Sequence, residues 1–95
     1  MERVFSCDSG KRALLLEARH FDLLDMAEVF ADDARLDLLD DRRDYGEERR
    51  VTIGQALGGI FTVVFTVVYT MRGPVTWLIT AWPANRKERA RYGER

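Results

Sequence analysis

The sequence is poor in the residues from which metal and redox sites are made. It holds one cysteine, Cys7, and one histidine, His20, in 95 residues. A single thiol excludes an intramolecular disulfide framework and any cysteine-based zinc cluster, and a single imidazole excludes a histidine-rich metal site. A metal enzyme is therefore not expected unless carboxylates alone bind the ion, and no cofactor is expected. A secretory apolar segment is missing as well, because Glu2, Arg3, Asp8, Lys11 and Arg12 break every early hydrophobic stretch. With the unpaired thiol, this absence points to the cytoplasm. No internal repeat and no low-complexity stretch occurs. What is present is a globular composition, 46% hydrophobic and 33% charged, in a chain that can bury roughly 60–70% of its unfolded surface. Residues 1–95 are expected to form one domain around one core.

The net charge of −1 conceals a division. Residues 1–50 carry 14 acidic and 9 basic side chains, whereas residues 51–95 carry 2 acidic and 6 basic ones, five of these between Arg86 and Arg95. Such a chain is no general polyanion binder, but its basic end is suited to local contact with phosphate. A solvated terminal helix explains the same charges.

From Val51 to Met71, 21 residues pass without a charge, long enough for a transmembrane helix. Composition and period favour strands instead. Eleven of the 21 are Val, Ile or Thr, types that suit a pleated surface. Gly58-Gly59 falls mid-run, where it weakens a helix and makes a tight turn. From Ile60 onward one parity reads Phe61, Val63, Phe65, Val67, Tyr69, Met71, and the other alternates apolar residues with threonine. That is a long strand with one face on a core.

The remaining elements follow from local signals. Arg3 to Phe5 is a short strand, suited to a sheet edge. Asp8 or Ser9 caps a helix containing Ala13, Leu14, Leu15, Leu16 and Ala18, and Asp22 caps a second in which Leu23, Met26, Ala27 and Phe30 form a core-facing stripe. Arg35 to Asp40 alternates leucine with charge as a short strand, followed by a charged loop to Gly46. Strands at about Glu48–Leu57, Ile60–Arg72 and Val75–Trp82 come next, then a helix from Asn85, where Asn85 and Glu88 have capping-box spacing. The order β-α-α-β-β-β-β-α predicts an α+β fold, an antiparallel meander with helices on one face.

Several fragments, in this order, resemble the BrnT family, toxins of bacterial type II toxin–antitoxin pairs. They are Phe5 with Asp8 and Lys11, Ala27-Glu28-Val29-Phe30, Gly46-Glu47-Glu48-Arg49, Ile53-Gly54, Val67-Val68-Tyr69-Thr70 with Arg72, and Ile79-Thr80-Ala81. The tail Pro83-Ala84-Asn85-Arg86-Lys87-Glu88-Arg89 with Tyr92 is the most specific piece. The resemblance implies a RelE-like α+β fold and metal-independent endoribonuclease activity that inhibits translation and growth. It also implies neutralisation by a BrnA-like antitoxin, a ribbon-helix-helix DNA-binding protein that forms a hetero-oligomer with the toxin and alone contacts DNA. No membrane is involved. The chain departs from the family at Cys7, where Trp is usual, near Leu15, where Asn is usual, and at Arg19-His20, where His-Gly is usual. Trp77 and Trp82 stand where arginines usually bracket the penultimate strand, and the strand from Ile60 to Arg72 is about four residues longer than usual.

Metal-free RNA cleavage uses the substrate's own 2′-hydroxyl as nucleophile. It requires a base for that hydroxyl, cations for the phosphorane and a proton for the leaving oxygen. At the family-matching positions, Glu48 is the candidate base, Arg49, Arg72, Arg86 and Arg89 are candidate phosphate clamps, and Tyr92 is a candidate proton donor or stacking residue. Lys11 is a further RNA-contact candidate. Trp77 shares parity with Val75, Ile79 and Ala81 and reads as core. Trp82, on the opposite parity beside Leu78 and Thr80, is the stacking candidate. Duller roles compete: strand-end ion pairs for Glu48 and Arg49, a capping role for Glu88, a packing or capping role for His20, helix pinning for Tyr92, and a small buried hydrophobe in Cys7. The loss of two arginines supports an alternative, a degenerate member acting by RNA or partner binding. A third reading is a self-associating adaptor built on an exposed Thr/Val strand edge.

Overall fold

The structure is a computed structural model that describes residues 3–58 and 61–93. Its elements run β1 (Val4–Cys7), α1 (Ser9–Arg19), a 3-10 helix (Leu23–Ala31), β2 (Leu36–Leu39), β3 (Arg49–Gly58), β4 (Phe61–Arg72), β5 (Val75–Pro83) and α2 (Arg86–Gly93). The order is the one expected, and the class is α+β. The five strands form a single sheet ordered β1-β5-β4-β3-β2. β2 to β5 make the antiparallel meander, whereas β1 joins β5 in parallel, from Val4 opposite Val75 to Cys7 opposite Leu78. The sheet is therefore mixed. A parallel pair cannot be closed by a hairpin, so this one joins the two ends of the chain and leaves no local mark in the sequence.

The local signals act as expected. The Asp8 carboxylate accepts the Lys11 backbone N–H at 2.8 Å and caps α1. The helix ends at His20, held at φ 62°, whose N–H returns to the Leu16 carbonyl at 3.1 Å. The single histidine is therefore a C-cap through its backbone. Asp22 caps the 3-10 helix through Leu24 N–H at 3.0 Å and also receives the Arg12 guanidinium at 2.8 and 2.7 Å, which holds its carboxyl below the usual range. The residues this second helix buries are Leu23, Met26 and Val29, spaced by three. That is the 3.0-residue repeat of a 3-10 helix, and it replaces the expected α-helical stripe through Ala27 and Phe30, which are half-buried.

The inner face of the sheet carries Phe65, Val67 and Tyr69 with Leu78 and Ala81, packed under Leu15, Leu23, Met26 and Val29 from the helices. Leu23, Val29 and Val67 are fully buried, each contributing about 1.5–3 kcal/mol. At the margin, Tyr69 donates its hydroxyl to Asp37, which Arg35 and Arg50 also contact. Burial, then this bond, pushes the Tyr69 phenol up. Cys7 is half-buried against the same core, and burial pushes its thiol up. The described residues of the uncharged run are thus strand. Among the described residues, no helix is long and apolar enough to cross a membrane. The Gly58-Gly59 turn reaches residues 59 and 60, which lie outside the described residues. The β4–β5 turn is Gly73-Pro74, with Gly73 at φ 58°, a conformation glycine adopts without steric cost.

One irregularity decides what the other face presents. Val68 pairs with Thr80 but Tyr69 pairs with Leu78, so Ile79 is an extra residue, a bulge that reverses the alternation of β5. Thr76 and Leu78 before it and Ala81 after it face inward. Val75, Trp77, Thr80 and Trp82 all face outward. Trp77 is therefore not core, as unbroken parity predicts, but half-buried on the outer face, the same face as Trp82. Nor do the helices share one face. The outer-facing Trp82 donates its indole N–H to Glu88 of α2 at 3.0 Å, which sets α2 on the side opposite α1.

Candidate functional site

α2 lies on the outer face because its first turn is tied there. Asn85 Oδ1 accepts the Glu88 N–H at 2.8 Å, and Glu88 Oε1 accepts the Asn85 N–H at 2.8 Å, the capping box read from the sequence. Glu88 accepts the Trp82 indole as well. Below the helix is a groove of about 290 Å³ floored by Leu38, Val51 and Ile53, with Lys87 and Arg91 of α2 on one rim and Arg42 on the other.

The loop from β2 to β3 is organised by one buried carboxylate. The Asp40 side chain is 1% exposed. It accepts Arg42 Nε at 2.8 Å, Arg42 Nη2 at 2.9 Å and the Tyr45 hydroxyl at 3.2 Å. The guanidinium holds the Asp40 carboxyl below its usual range, and the same contact raises Arg42. Asp40 N–H donates to the Arg49 carbonyl at 2.8 Å, joining the loop to the start of β3. Tyr45 is thereby held against Arg49, whose guanidinium lies 4.1 Å from the ring centroid.

Next to this pair is a single carboxylate between two guanidiniums. Glu47 Oε2 is 3.3 Å from Arg49 Nε, and Glu47 Oε1 is 3.7 Å from Arg72 Nη2. Arg72 in turn lies over Trp77, 4.5 Å from the ring centroid. The line Tyr45, Arg49, Glu47, Arg72, Trp77 therefore places an anion seat between two cations, with an aromatic ring outside each. Arginine recognises phosphate as it does carboxylate, and each guanidinium has N–H groups beyond the one it turns to Glu47, so the pair can meet a phosphodiester beside this carboxylate.

Of the residues named from the sequence, Arg49 and Arg72 come together here. Glu48 does not join them. Its side chain turns to Arg50 at 3.2 Å, and its carbonyl accepts the Thr70 hydroxyl at 2.6 Å. Tyr92 donates to Asp32 at 2.6 Å, next to the Gln55 N–H that the same oxygen accepts at 2.9 Å. Gln55 is six strand residues from Arg49, about 20 Å. Arg89 donates to the Ala84 carbonyl at 2.9 Å, and Arg86 is exposed on the first turn of α2. Neither lines the groove, whereas Lys87 and Arg91 do. Lys11 is in the first turn of α1, on the inner-face side. Trp82 is half-buried and pinned by Glu88.

Sequence reasoning missed Glu47, Tyr45, Trp77, Lys87 and Arg91. A signal existed for Glu47, since it stands two residues before Arg49 and strand alternation puts such residues on one side. Trp77 stood out as replacing a family arginine but read as core, because the bulge that turns it outward is not a local feature. Among the described residues, no group of three or more His, Cys, Asp or Glu is disposed to hold a metal ion.

The fold and this face define a small α+β domain with a cation-rimmed sheet surface suited to phosphate. A family model described as the ribonuclease toxin BrnT of type II toxin–antitoxin systems matches residues 7–88. The chain belongs to the BrnT family, a family of ribonuclease toxins whose members are paired with an antitoxin. No curated protein matches it.

Proposed function

We propose that the chain, in the RelE-like manner its family resemblance implies, is a cytoplasmic endoribonuclease that cleaves RNA without a metal on the outer face of its sheet. The observation that carries this reading is the Glu47 carboxylate held between Arg49 and Arg72. A phosphodiester drawn to the two guanidiniums has its developing charge stabilised by preorganised cations, the term that dominates such reactions. The site's one carboxylate is flanked by two cations, which disfavours a metal ion there. In this reading Glu47, which lies between the two arginines, takes the 2′-hydroxyl proton, the role the sequence suggested for Glu48. The 2′-oxygen then bonds to phosphorus, the P–O5′ bond breaks, and the leaving oxygen takes a proton from water, leaving a 2′,3′-cyclic phosphate. The partner is a BrnA-like antitoxin of the ribbon-helix-helix type, which forms a hetero-oligomer with the toxin and carries its only contact with DNA.

The test is cleavage of end-labelled RNA in excess chelator. Cleavage should persist and leave cyclic phosphate ends, and Arg49→Ala and Arg72→Ala should each lower the rate by about 10²-fold or more. Activity restored only by a divalent ion would overturn the metal-free mechanism. A second reading, RNA binding without cleavage, draws on the two indoles that share this face with the arginines. It predicts that total RNA stays intact while oligonucleotides are retained, and that Trp77→Arg with Trp82→Arg creates cleavage.

A further inference from the structure

Two aromatic rings flank the anion seat, and phosphate chemistry needs neither. Trp77 stands outward on β5, with Thr70 opposite it on β4 and Ser6 on β1. Both neighbours are small, and Arg72 lies over the indole. Tyr45 stands on the other side, its hydroxyl anchored to the buried Asp40 and its ring facing Arg49. Each ring is covered by a cation that also reaches the seat. The order along this face, ring, guanidinium pair, ring, is the order base, phosphate, base of a nucleotide chain.

We propose that Trp77 and Tyr45 are nucleobase platforms, and that this face holds two successive unpaired nucleotides of single-stranded RNA with the phosphate between them on Arg49 and Arg72. The inference rests on the reading of that seat as a phosphate site. As the phosphate arrives, each guanidinium turns from its ring to a phosphate oxygen, and the uncovered ring takes the adjoining base. Every base has a π-face, so the platforms select unpaired strands rather than a sequence. A duplex hides the faces of its bases by stacking and cannot use them.

The experiment measures binding of the full chain to a fluorescein-labelled 2′-O-methyl hexaribonucleotide of mixed sequence, which cannot be cleaved, across a salt series. Trp77→Ala and Tyr45→Ala should each weaken binding by about 5- to 100-fold and leave the salt slope unchanged. Arg72→Ala should weaken binding and flatten the slope of log affinity against log salt by about 0.7, one phosphate contact to a single strand. Trp77→Phe and Tyr45→Phe keep a ring and should stay within about threefold of the parent. These conservative variants, compared at equal melting temperature, separate a lost platform from a damaged fold. An oligonucleotide with abasic sites at two successive positions should lose affinity for the parent and show no further loss with the alanine variants.

Tight binding that survives Trp77→Ala, Tyr45→Ala and abasic substitution, but not Arg49→Ala or Arg72→Ala, would overturn the platforms and leave the phosphate seat standing. Equal affinity for duplex RNA would overturn them too. A chain that neither binds the hexamer nor cleaves RNA would overturn both readings.

Discussion

Replacing Asp40 by asparagine tests whether one buried carboxylate organises the loop that carries half of the site. In the parent, Asp40 accepts two guanidinium N–H groups at 2.8 and 2.9 Å and the Tyr45 hydroxyl at 3.2 Å. Asparagine keeps the shape but offers one acceptor oxygen, and its amide turns two donors toward groups that are themselves donors. Hydrogen bonds to a charged group contribute about 1.5–3 kcal/mol. Arg42 is 62% exposed, so its freed guanidinium is rehydrated and the loss stays near the lower end, about 2 kcal/mol. For a domain of this size that lowers Tm by about 8–16 °C. The effect depends on pH with a definite sign. The Asp40 carboxyl titrates below its unfolded value, so its stabilisation is fully present above the unfolded pKa of about 4 and is lost as pH falls through the folded value. The amide of the Asp40→Asn variant has no such titration. Melting curves of the two proteins should be furthest apart near neutrality and converge below about pH 4; Asp22, also held below the usual range, is present in both and cancels. A gap under about 2 °C at neutral pH, or one that does not close in acid, would refute the role given to Asp40.

Other substitutions probe the packing around the site. The Thr66 hydroxyl is buried without a hydrogen-bond partner among the described residues, so Thr66→Val, nearly isosteric, should raise stability by about 1 kcal/mol, read as a higher Tm. Gly54 lies where the 3-10 helix meets β3, and a Cβ there would come within 2.9 Å of Arg35 Cβ and 3.0 Å of Val29 Cγ1. Gly54→Ala should therefore cost about 1–3 kcal/mol, measured by urea unfolding. Glu88→Ala removes the capping box and the acceptor of the Trp82 indole together. It should fray α2, seen as lost helical ellipticity and a red-shifted tryptophan emission, with a stability loss of about 1–2 kcal/mol.

What was legible in the sequence was what neighbours in the chain decide among themselves. The caps at Asp8, Asp22 and Asn85 were readable because a short polar side chain and an amide two or three residues on need nothing else to meet. The strands of the uncharged run were readable because burial of one face imposes a period of two on Phe65, Val67 and Tyr69. The 3-10 geometry was not, since Leu23, Met26, Ala27, Val29 and Phe30 satisfy both an α-helical and a three-residue repeat until the sheet beneath selects one. The parallel pairing of β1 with β5 was not, because the partners stand at opposite ends of the chain.

The two faces of the sheet thus depend on different kinds of information. The inner face follows from composition, because any register that buries Val67 and Leu78 must put them there. The outer face follows from a single inserted residue. Without the bulge at Ile79, continuous alternation of β5 would place Trp77 inward whenever Trp82 points outward, and Arg72 would face the sheet with no ring beneath it. With the bulge, Leu78 and Ala81 both stay buried while Trp77 and Trp82 both emerge on the face that carries the arginines. Two of the departures from the family pattern, Trp77 and Trp82, are therefore on the same face as Arg49 and Arg72, which kept it. On the reading of this face proposed above, a change at Trp77 bears on how RNA is held, whereas a change at Trp82 also releases the indole bond that ties α2 to the sheet.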